Sequence, residues 1–303
     1  MTDQPGEWSA GTADDLVEDA RSLGIKVTAR TVTDYVEVGL LAPPLYRKTS
    51  QRGSDRRIHP PEQRRLFYEL NAAKLRSPLA RVPHRTMIPV VLYAWCMNDT
   101  VVPDVQARRA LRTWSQSVGI GSGRRRRSTA SKVVAQFADP AATSGQRRIA
   151  EHWIRDGEES RRPDFDNIAD ALSTVASPWR ARGLPEIVRG FGPAVAPITT
   201  DQAVAMWELQ LRVNEILAFE GAPEDVLRRA REEHRMNWQE YQGVRTDWAS
   251  QAGDMADIFE LPTDLEQAAR QQVNGFVTVL GNTLELARPI FARAQARARA
   301  RIR

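Results

Sequence analysis

A basic segment between Leu45 and His59 holds the side chains best suited to bind a charged partner. Its basic residues are Arg47, Lys48, Arg52, Arg56 and Arg57. Four of them flank residues 51–54, which include Arg52 and are typical of a flexible polar tip between two short strands. Arginine and lysine bind phosphate oxygens, so the segment predicts contacts with a phosphate backbone or a minor groove. The alternative is a solvated loop without a partner.

A second candidate group lies just before this segment, where apolar residues have helical spacing. Its members are Thr28, Arg30, Thr31, Thr33 and Tyr35. Side chains near the N-terminal end of a helix contact base edges and phosphates when that helix enters the major groove of DNA. Val32, Val36 and Leu40 are predicted to face the core instead. An ordinary exposed helix face is the alternative interpretation of this group.

The positive charge of the chain is concentrated around these two groups. The 303 residues carry a formal net charge of +5, and 39 of the 43 basic residues are arginine. Residues 1–25 have a net charge of −5, residues 26–85 have +8, and the remaining residues have +2. The high arginine count is expected to reflect the base composition of the genome, because alanine is also abundant. The distribution, however, is the electrostatic footprint expected of a DNA-binding module.

Catalytic and metal-binding patterns are missing from the sequence. The four histidines are dispersed without an HExxH-like pair, and Cys96 is the single cysteine. Asp164, Asp166 and Asp170 are explained better by helix-start electrostatics than by a bound cation. No Ser-His-Asp order, P-loop or Rossmann glycine pattern occurs. The sequence therefore predicts that the protein is not an enzyme and has no metal site and no cofactor.

The sequence also indicates where the protein works. No run approaches 18 apolar residues, which argues against a membrane-spanning helix. The N-terminus is acidic and lacks the apolar stretch of a secretory signal. With 42% hydrophobic and 27% charged residues, the chain can bury a core. These features predict a cytoplasmic protein with no membrane partner.

Local signals place both candidate groups on a helix-turn-helix followed by a hairpin. Thr12 is predicted to cap a first helix that stops near Gly24, and Thr28 to cap a second helix that ends at Gly39. A helix, a turn of about four residues and a second helix have the spacing of a helix-turn-helix. The sequence 60–62, Pro-Pro-Glu, then predicts the start of a third helix.

An ordered set of short motifs runs through this region. They are Arg30-Thr31-Val32, Tyr35-Val36, Gly39-Leu40-Leu41, Pro43-Pro44, the basic segment and Pro60-Pro61-Glu62. In this order they resemble the winged helix-turn-helix of the MerR family, over about residues 13–78. The resemblance implies that the second helix recognises DNA and that the hairpin is the wing. Thr33 stands where the family often has a DNA-contacting arginine, and Asp34 where its first tyrosine usually lies.

The chain beyond Pro78 is predicted to be almost entirely helical. Pro78, Pro83 and Pro89 interrupt the region where MerR-type proteins commonly have a long dimerising helix. Thr200-Asp201 is predicted to cap one later helix, and the last helix is predicted to continue into the arginine-alanine tail 287–303. The expected domains are a flexible tail at 1–12, a winged helix-turn-helix at 13–78 and a helical regulatory or dimerisation domain at 79–303. A break is expected near 178–197.

These observations predict a mainly α protein that acts as a sequence-specific transcription regulator on double-stranded DNA. The alternative is an accessory protein for site-specific recombination or plasmid segregation, of the excisionase kind, whose helical domain binds a protein partner. A homodimer is expected because two-fold symmetry matches a palindromic operator, with apolar surface supplied by residues 200–219 and 263–287.

Three features of the helical domain have open interpretations. The scattered tryptophans form either plain core or a pocket for a small apolar effector, and core is the commoner case. The run Arg124–Arg127 is either a solvated loop or a further DNA contact. The same choice applies to the tail arginines, for which solvation is predicted. These are Arg293, Arg297, Arg299, Arg301 and Arg303.

Overall fold

The protein forms two compact units, Met1–Trp114 (unit 1) and Ser115–Arg303 (unit 2). The computed structural model describes residues 8–47, 56–76, 84–97, 100–119, 130–132, 134–135, 138–160, 163–176, 200–251 and 259–302. Within these ranges the chain is mainly helical, as predicted, with one two-stranded antiparallel sheet. No helix among the described residues is long and apolar enough to span a bilayer.

Unit 1 begins with two short helices, α1 (Ala13–Ser22) and α2 (Ala29–Val38). Each helix is preceded by a threonine whose hydroxyl accepts the N–H of the third helical residue. This confirms the predicted caps at Thr12 and Thr28. After α2, Gly39 adopts a left-handed conformation with φ of 86°. Glycine takes this conformation without steric cost, so the helix ends where the sequence predicted.

A hairpin and a third helix follow. Strands β1 (Leu45–Arg47) and β2 (Arg56–Ile58) pair antiparallel, with Leu45 opposite Ile58 and Tyr46 opposite Arg57. Helix α3 (Pro61–Arg76) begins directly after them, as the two prolines predict. Apolar side chains of the three helices and the 40–42 turn form the core of this region. They include Leu16, Ala20, Val32, Leu40, Leu41, Leu66, Phe67 and Leu70.

The segment before α1 is held in place from residue 8 onward, although the sequence predicts a flexible tail at 1–12. The backbone of Gly11 exchanges two hydrogen bonds with that of His59, at 3.0 and 2.7 Å. The Trp8 ring lies 5.3 Å from the Tyr68 ring and 5.7 Å from the Arg64 guanidinium. These contacts correct the prediction for residues 8–12, and residues 1–7 lie outside the described residues.

Unit 1 also contains a 3-10 turn (His84–Met87), α4 (Ile88–Met97) and the first part of α5 (Asp104–Gly119). Pro89 lies in the first turn of α4, where its missing N–H leaves no intrahelical bond unmade, so α4 continues through it. The compact unit ends at Trp114, whereas the sequence placed a domain boundary at 78. Two buried glutamines explain the difference, because they join residues 101–106 to earlier elements. Gln63 donates to Val101 O, and Gln106 donates to Leu40 O.

Unit 2 is helical apart from an isolated bridge between Ala138 and Ala176, among its described residues. Its helices are α6 (Ser144–Glu159), α7 (Phe165–Ser173), α8 (Thr200–Phe219), α9 (Glu224–Gln251), α10 (Leu265–Thr283) and α11 (Ala287–Ile302). Helix α8 packs against α7, α10 and α11, and α9 packs against α10. The predicted break at 178–197 lies outside the described residues.

Close packing places α8 and α10 inside unit 2. A Cβ atom at Gly281 would lie 2.7 Å from Cδ1 of Leu209, so the glycine allows the two helices to approach. Nearly every residue of α10 from Gln271 to Gly281 is buried within the chain. The apolar surface that the sequence assigned to a dimer contact at 200–219 and 263–287 is therefore largely used inside a single chain.

The last two helices are separate rather than continuous. Between α10 and α11, Glu285 has a positive φ of 60°, which turns the backbone out of the helical path. The amide of Leu286 then donates to Gly281 O at 3.0 Å. The turn brings α11 against α8, and the arginine-alanine segment becomes part of the packed unit.

Candidate nucleic-acid interface

The exposed face of α2 carries its basic residue near the N-terminal end. Arg30, Thr33, Asp34 and Glu37 follow one another at helical spacing, and Arg30, Thr33 and Glu37 are exposed. The Thr33 hydroxyl donates to Ala29 O at 3.2 Å. The N-terminal half of the face is thus positive or neutral, and the C-terminal half is acidic.

Thr28 and Thr31 have a structural role in starting α2. Their hydroxyl oxygens lie 3.2 Å apart, and each accepts the backbone N–H of the other at 3.3 Å. This reciprocal arrangement satisfies two amides that the first turn would otherwise leave unpaired. Any contact of these hydroxyls with a base edge would compete with the cap.

Tyr35 lies in the core rather than on the exposed face, which corrects its assignment as a DNA contact. Its side chain is fully buried, and its ring lies 5.3 Å from that of Phe67. The hydroxyl donates to Asn71 Oδ1 at 3.2 Å and accepts a hydrogen bond from Lys74 Nζ. Burial raises the pKa of Tyr35 and lowers that of Lys74 to about 8. Tyr35 fixes α2 to α3.

The hairpin presents exposed side chains beside a basic strand. Arg57 is exposed, and its guanidinium lies over the Tyr46 ring at 5.8 Å from the centroid. Tyr46 is itself 66% exposed, so this pair is available to a partner. The backbones of Arg47 and Arg56 pair with each other in the ladder. Their side chains, and the predicted contacts Lys48 and Arg52, lie outside the described residues.

The base of the hairpin is buried and uncharged. His59 is 3% exposed, and burial lowers the pKa of its imidazole. Through its backbone bonds to Gly11, His59 joins the N-terminal segment to the end of β2. The end of β2 is therefore fixed to the N-terminal segment.

The C-terminal end of α2 is anchored by residues that sequence reasoning missed. The Gln106 side chain, fully buried on α5, donates to Leu40 O at 2.9 Å. The Arg109 guanidinium donates to Val36 O at 3.3 Å. Gln106 and Arg109 lie about 70 positions away from α2, so no local signal could have identified them.

Three of the tail arginines are bound by acids, which corrects the prediction that they are solvated. Arg293 donates to Glu208 Oε1 at 2.7 Å, and Arg297 to Asp201 Oδ1 at 3.2 Å. Arg301 also donates to Asp201. The exposed carboxylates of Asp166 and Asp170 complete the pairs with Arg297 and Arg301. Arg299 is exposed, and Arg303 lies outside the described residues.

Asp201 is the centre of this group, which we call the arginine seam: Arg293, Arg297, Arg301, Asp166, Asp170, Asp201 and Glu208. The side chain of Asp201 is 4% exposed. It lies inside α8, which begins at Thr200, so it does not act as the predicted helix cap. The three arginines recur every four residues on one face of α11, a spacing that the sequence contains.

Other candidates of the helical domain have ordinary structural positions. Trp207 packs edge-on against Phe165, and Asp164 caps α7, as its position before the helix suggests. His234 lies 3.1 Å from Gln272 Oε1, and burial lowers its pKa to about 4, so it is neutral. No group of three or more metal-ligating side chains occurs among the described residues. Arg124–Arg127 and Trp179 lie outside them.

Comparisons with protein-family profiles, with curated proteins and with solved structures find no match to this chain. Its function is therefore inferred from the residues and geometry described above.

Proposed function

We propose that the protein is a sequence-specific regulator that binds double-stranded DNA through unit 1. The observation that carries the proposal is the exposure of Arg30 and Arg57 on neighbouring elements of the most basic part of the chain. Residues 26–85 have a net charge of +8, which favours a polyanionic partner.

The order of elements in unit 1 supports a winged helix-turn-helix of the MerR kind. Helices α1 and α2 are separated by a short turn, and an antiparallel hairpin and α3 follow. In this arrangement α2 is the recognition helix, and the β1–β2 hairpin is the wing. The proposal assigns major-groove contact to the N-terminal half of α2, because Asp34 and Glu37 would repel phosphates near its C-terminal half.

The two elements have different roles in recognition. Arg57 and the other basic residues of the wing bind phosphates, which fixes the position of the protein and gives binding its salt dependence. Arg30 and Thr33 contact base edges, where hydrogen bonds discriminate between sequences. Tyr35 does not contact DNA and instead packs α2 against α3.

The proposal includes a homodimer on a palindromic operator, with unit 2 as the regulatory or dimerisation part. A two-fold symmetric dimer places one recognition helix on each half-site. Since the core-facing sides of α8 and α10 are buried within one chain, a dimer interface would use other surfaces of the protein.

The test begins with selection of bound duplexes from a random-sequence library, followed by fluorescence anisotropy on the selected duplex. Arg57→Ala should weaken binding to all sequences and lower the salt slope by about one unit. Arg30→Ala should reduce discrimination between sequences by about 1–3 kcal/mol. Arg148→Ala, which removes an exposed arginine of unit 2, is the matched control and should bind like the parent. Absence of duplex binding by the parent would refute the proposal.

A further inference from the structure

The C-terminal end of α2 meets α5 at a distance that a side chain would prevent. A Cβ atom at Gly39 would lie 2.2 Å from the backbone nitrogen of Ala110 and 2.7 Å from its Cα. Gly39 is also in the left-handed region, at φ of 86°. Both the conformation and the contact therefore require glycine at the point where α2 meets α5.

Side chains of α5 complete this contact by binding carbonyl groups in the last turn of α2 and in the turn that follows it. The last carbonyls of a helix have no intrahelical partner, and buried ones need a donor. Gln106 supplies one to Leu40 O, in the turn just after α2. Arg109 adds a second donor to Val36 O, which also accepts the N–H of Gly39. The positive guanidinium also lies at the negative end of the α2 dipole, where a cation is favourable.

A second buried glutamine braces the same end of α2 from α3. Gln63 is 3% exposed, and its side-chain oxygen accepts the N–H of Ala42 at 2.7 Å. Its side-chain nitrogen donates to Val101 O at 2.8 Å, three residues before α5 begins. The turn after α2 is thus bonded through one side chain to the segment that leads into α5.

From this geometry we infer that Gln106 and Arg109 are positioning residues for DNA binding, which set the direction of α2 without touching DNA. The inference rests on the proposed function. Helix α2 is fixed at its C-terminal end, and its exposed N-terminal end carries Arg30 and Thr33. A small rotation at the fixed end moves those side chains relative to the bases, whereas the wing keeps its phosphate contacts.

The experiment measures anisotropy of the full-length chain on its selected duplex at several salt concentrations. Gln106→Leu and Arg109→Met should each weaken binding by about fivefold or more, the equivalent of roughly one lost base contact, with the salt slope of the parent. Arg109→Lys, which retains a cation and donor, should restore most of the affinity. Arg112→Met, an exposed neighbour on α5, is the matched control and should bind like the parent.

Thermal unfolding of each variant separates positioning from simple loss of stability. Binding is measured well below every unfolding midpoint, where a variant that has only lost stability remains folded and keeps the parental affinity. Parental affinity in both Gln106→Leu and Arg109→Met would overturn the inference while leaving DNA binding intact. A lowered salt slope in these variants would also overturn it, because it would make them phosphate contacts. If the parent binds no duplex, the proposed function fails, and the inference fails with it.

Discussion

Two arginine-rich regions of this chain place the same side chain in opposite environments. In unit 1, Arg30 and Arg57 are exposed, and neither forms an ion pair with an acid among the described residues. In unit 2, the arginines of the seam are paired with carboxylates of α7 and α8. Arginine density alone therefore does not identify a nucleic-acid surface. The acids within reach of each guanidinium decide whether it is available to a partner.

The strongest test of the seam removes the charge at its centre. Asp201→Asn keeps the volume of the side chain but removes the buried negative charge that Arg297 and Arg301 share. We expect the free energy of unfolding to fall by about 3 kcal/mol, because the partly desolvated guanidinium groups then keep only the solvent-exposed carboxylates of Asp166 and Asp170. Urea unfolding followed by circular dichroism measures this change.

Asp166→Asn is the control for that experiment. Its carboxylate also binds Arg297 but is 73% exposed, so the loss should not exceed about 1 kcal/mol. Equal losses in the two variants would show that burial does not distinguish the pairs, and that the seam is an ordinary surface network.

Local sequence signals were sufficient for the elements that carry the candidate interface. Thr28 and Gly39 mark the ends of α2 through capping chemistry, which acts within a few residues. Tyr35 is predicted to contact DNA because it lies near the start of the second helix. The helical spacing from Val32 places Tyr35 on the buried face as readily as Val36, and packing against Phe67 decides between them.

Long-range pairs could be predicted only in part. The four-residue spacing of Arg293, Arg297 and Arg301 indicates a shared face, but the acids that meet it lie 85 to 131 residues away. The contact of Gln106 could not be predicted either. Its partner is the backbone carbonyl of Leu40, and a backbone carbonyl is present at every position of the sequence. Tertiary packing, rather than local propensity, determines these contacts.

A smaller effect should come from Lys74, a half-buried base of unit 1 whose Nζ lies 4.7 Å from the Tyr35 ring centroid. Its folded pKa of about 8 is below the unfolded value, so from pH 8 to 10 the unfolded state binds more protons. Stability should rise over this range, by less than about 1 kcal/mol because water screens the side chain. Above pH 10 the raised pKa of Tyr35 reverses the sign, because the unfolded state then loses its proton first.

The pH effect is measured as the difference in unfolding free energy between the parent and Lys74→Met at pH 7.5, 8.5 and 9.5. The variant should gain its largest relative stability at pH 7.5, and the difference should shrink toward pH 9.5. A difference that is constant or grows with pH would show that the Lys74 ammonium is not penalised by burial.

Arginine modification by phenylglyoxal, read by mass spectrometry with and without the selected duplex, tests the comparison of the two regions most directly. Arg30 and Arg57 should react in the free protein and become protected by DNA. Arg297 and Arg301 should react slowly in both states, because carboxylates hold their guanidinium groups. Arg299, which is exposed on the same helix, should react equally with and without DNA. Protection of Arg299 together with undiminished reaction of Arg30 and Arg57 would contradict the account and place the DNA on unit 2.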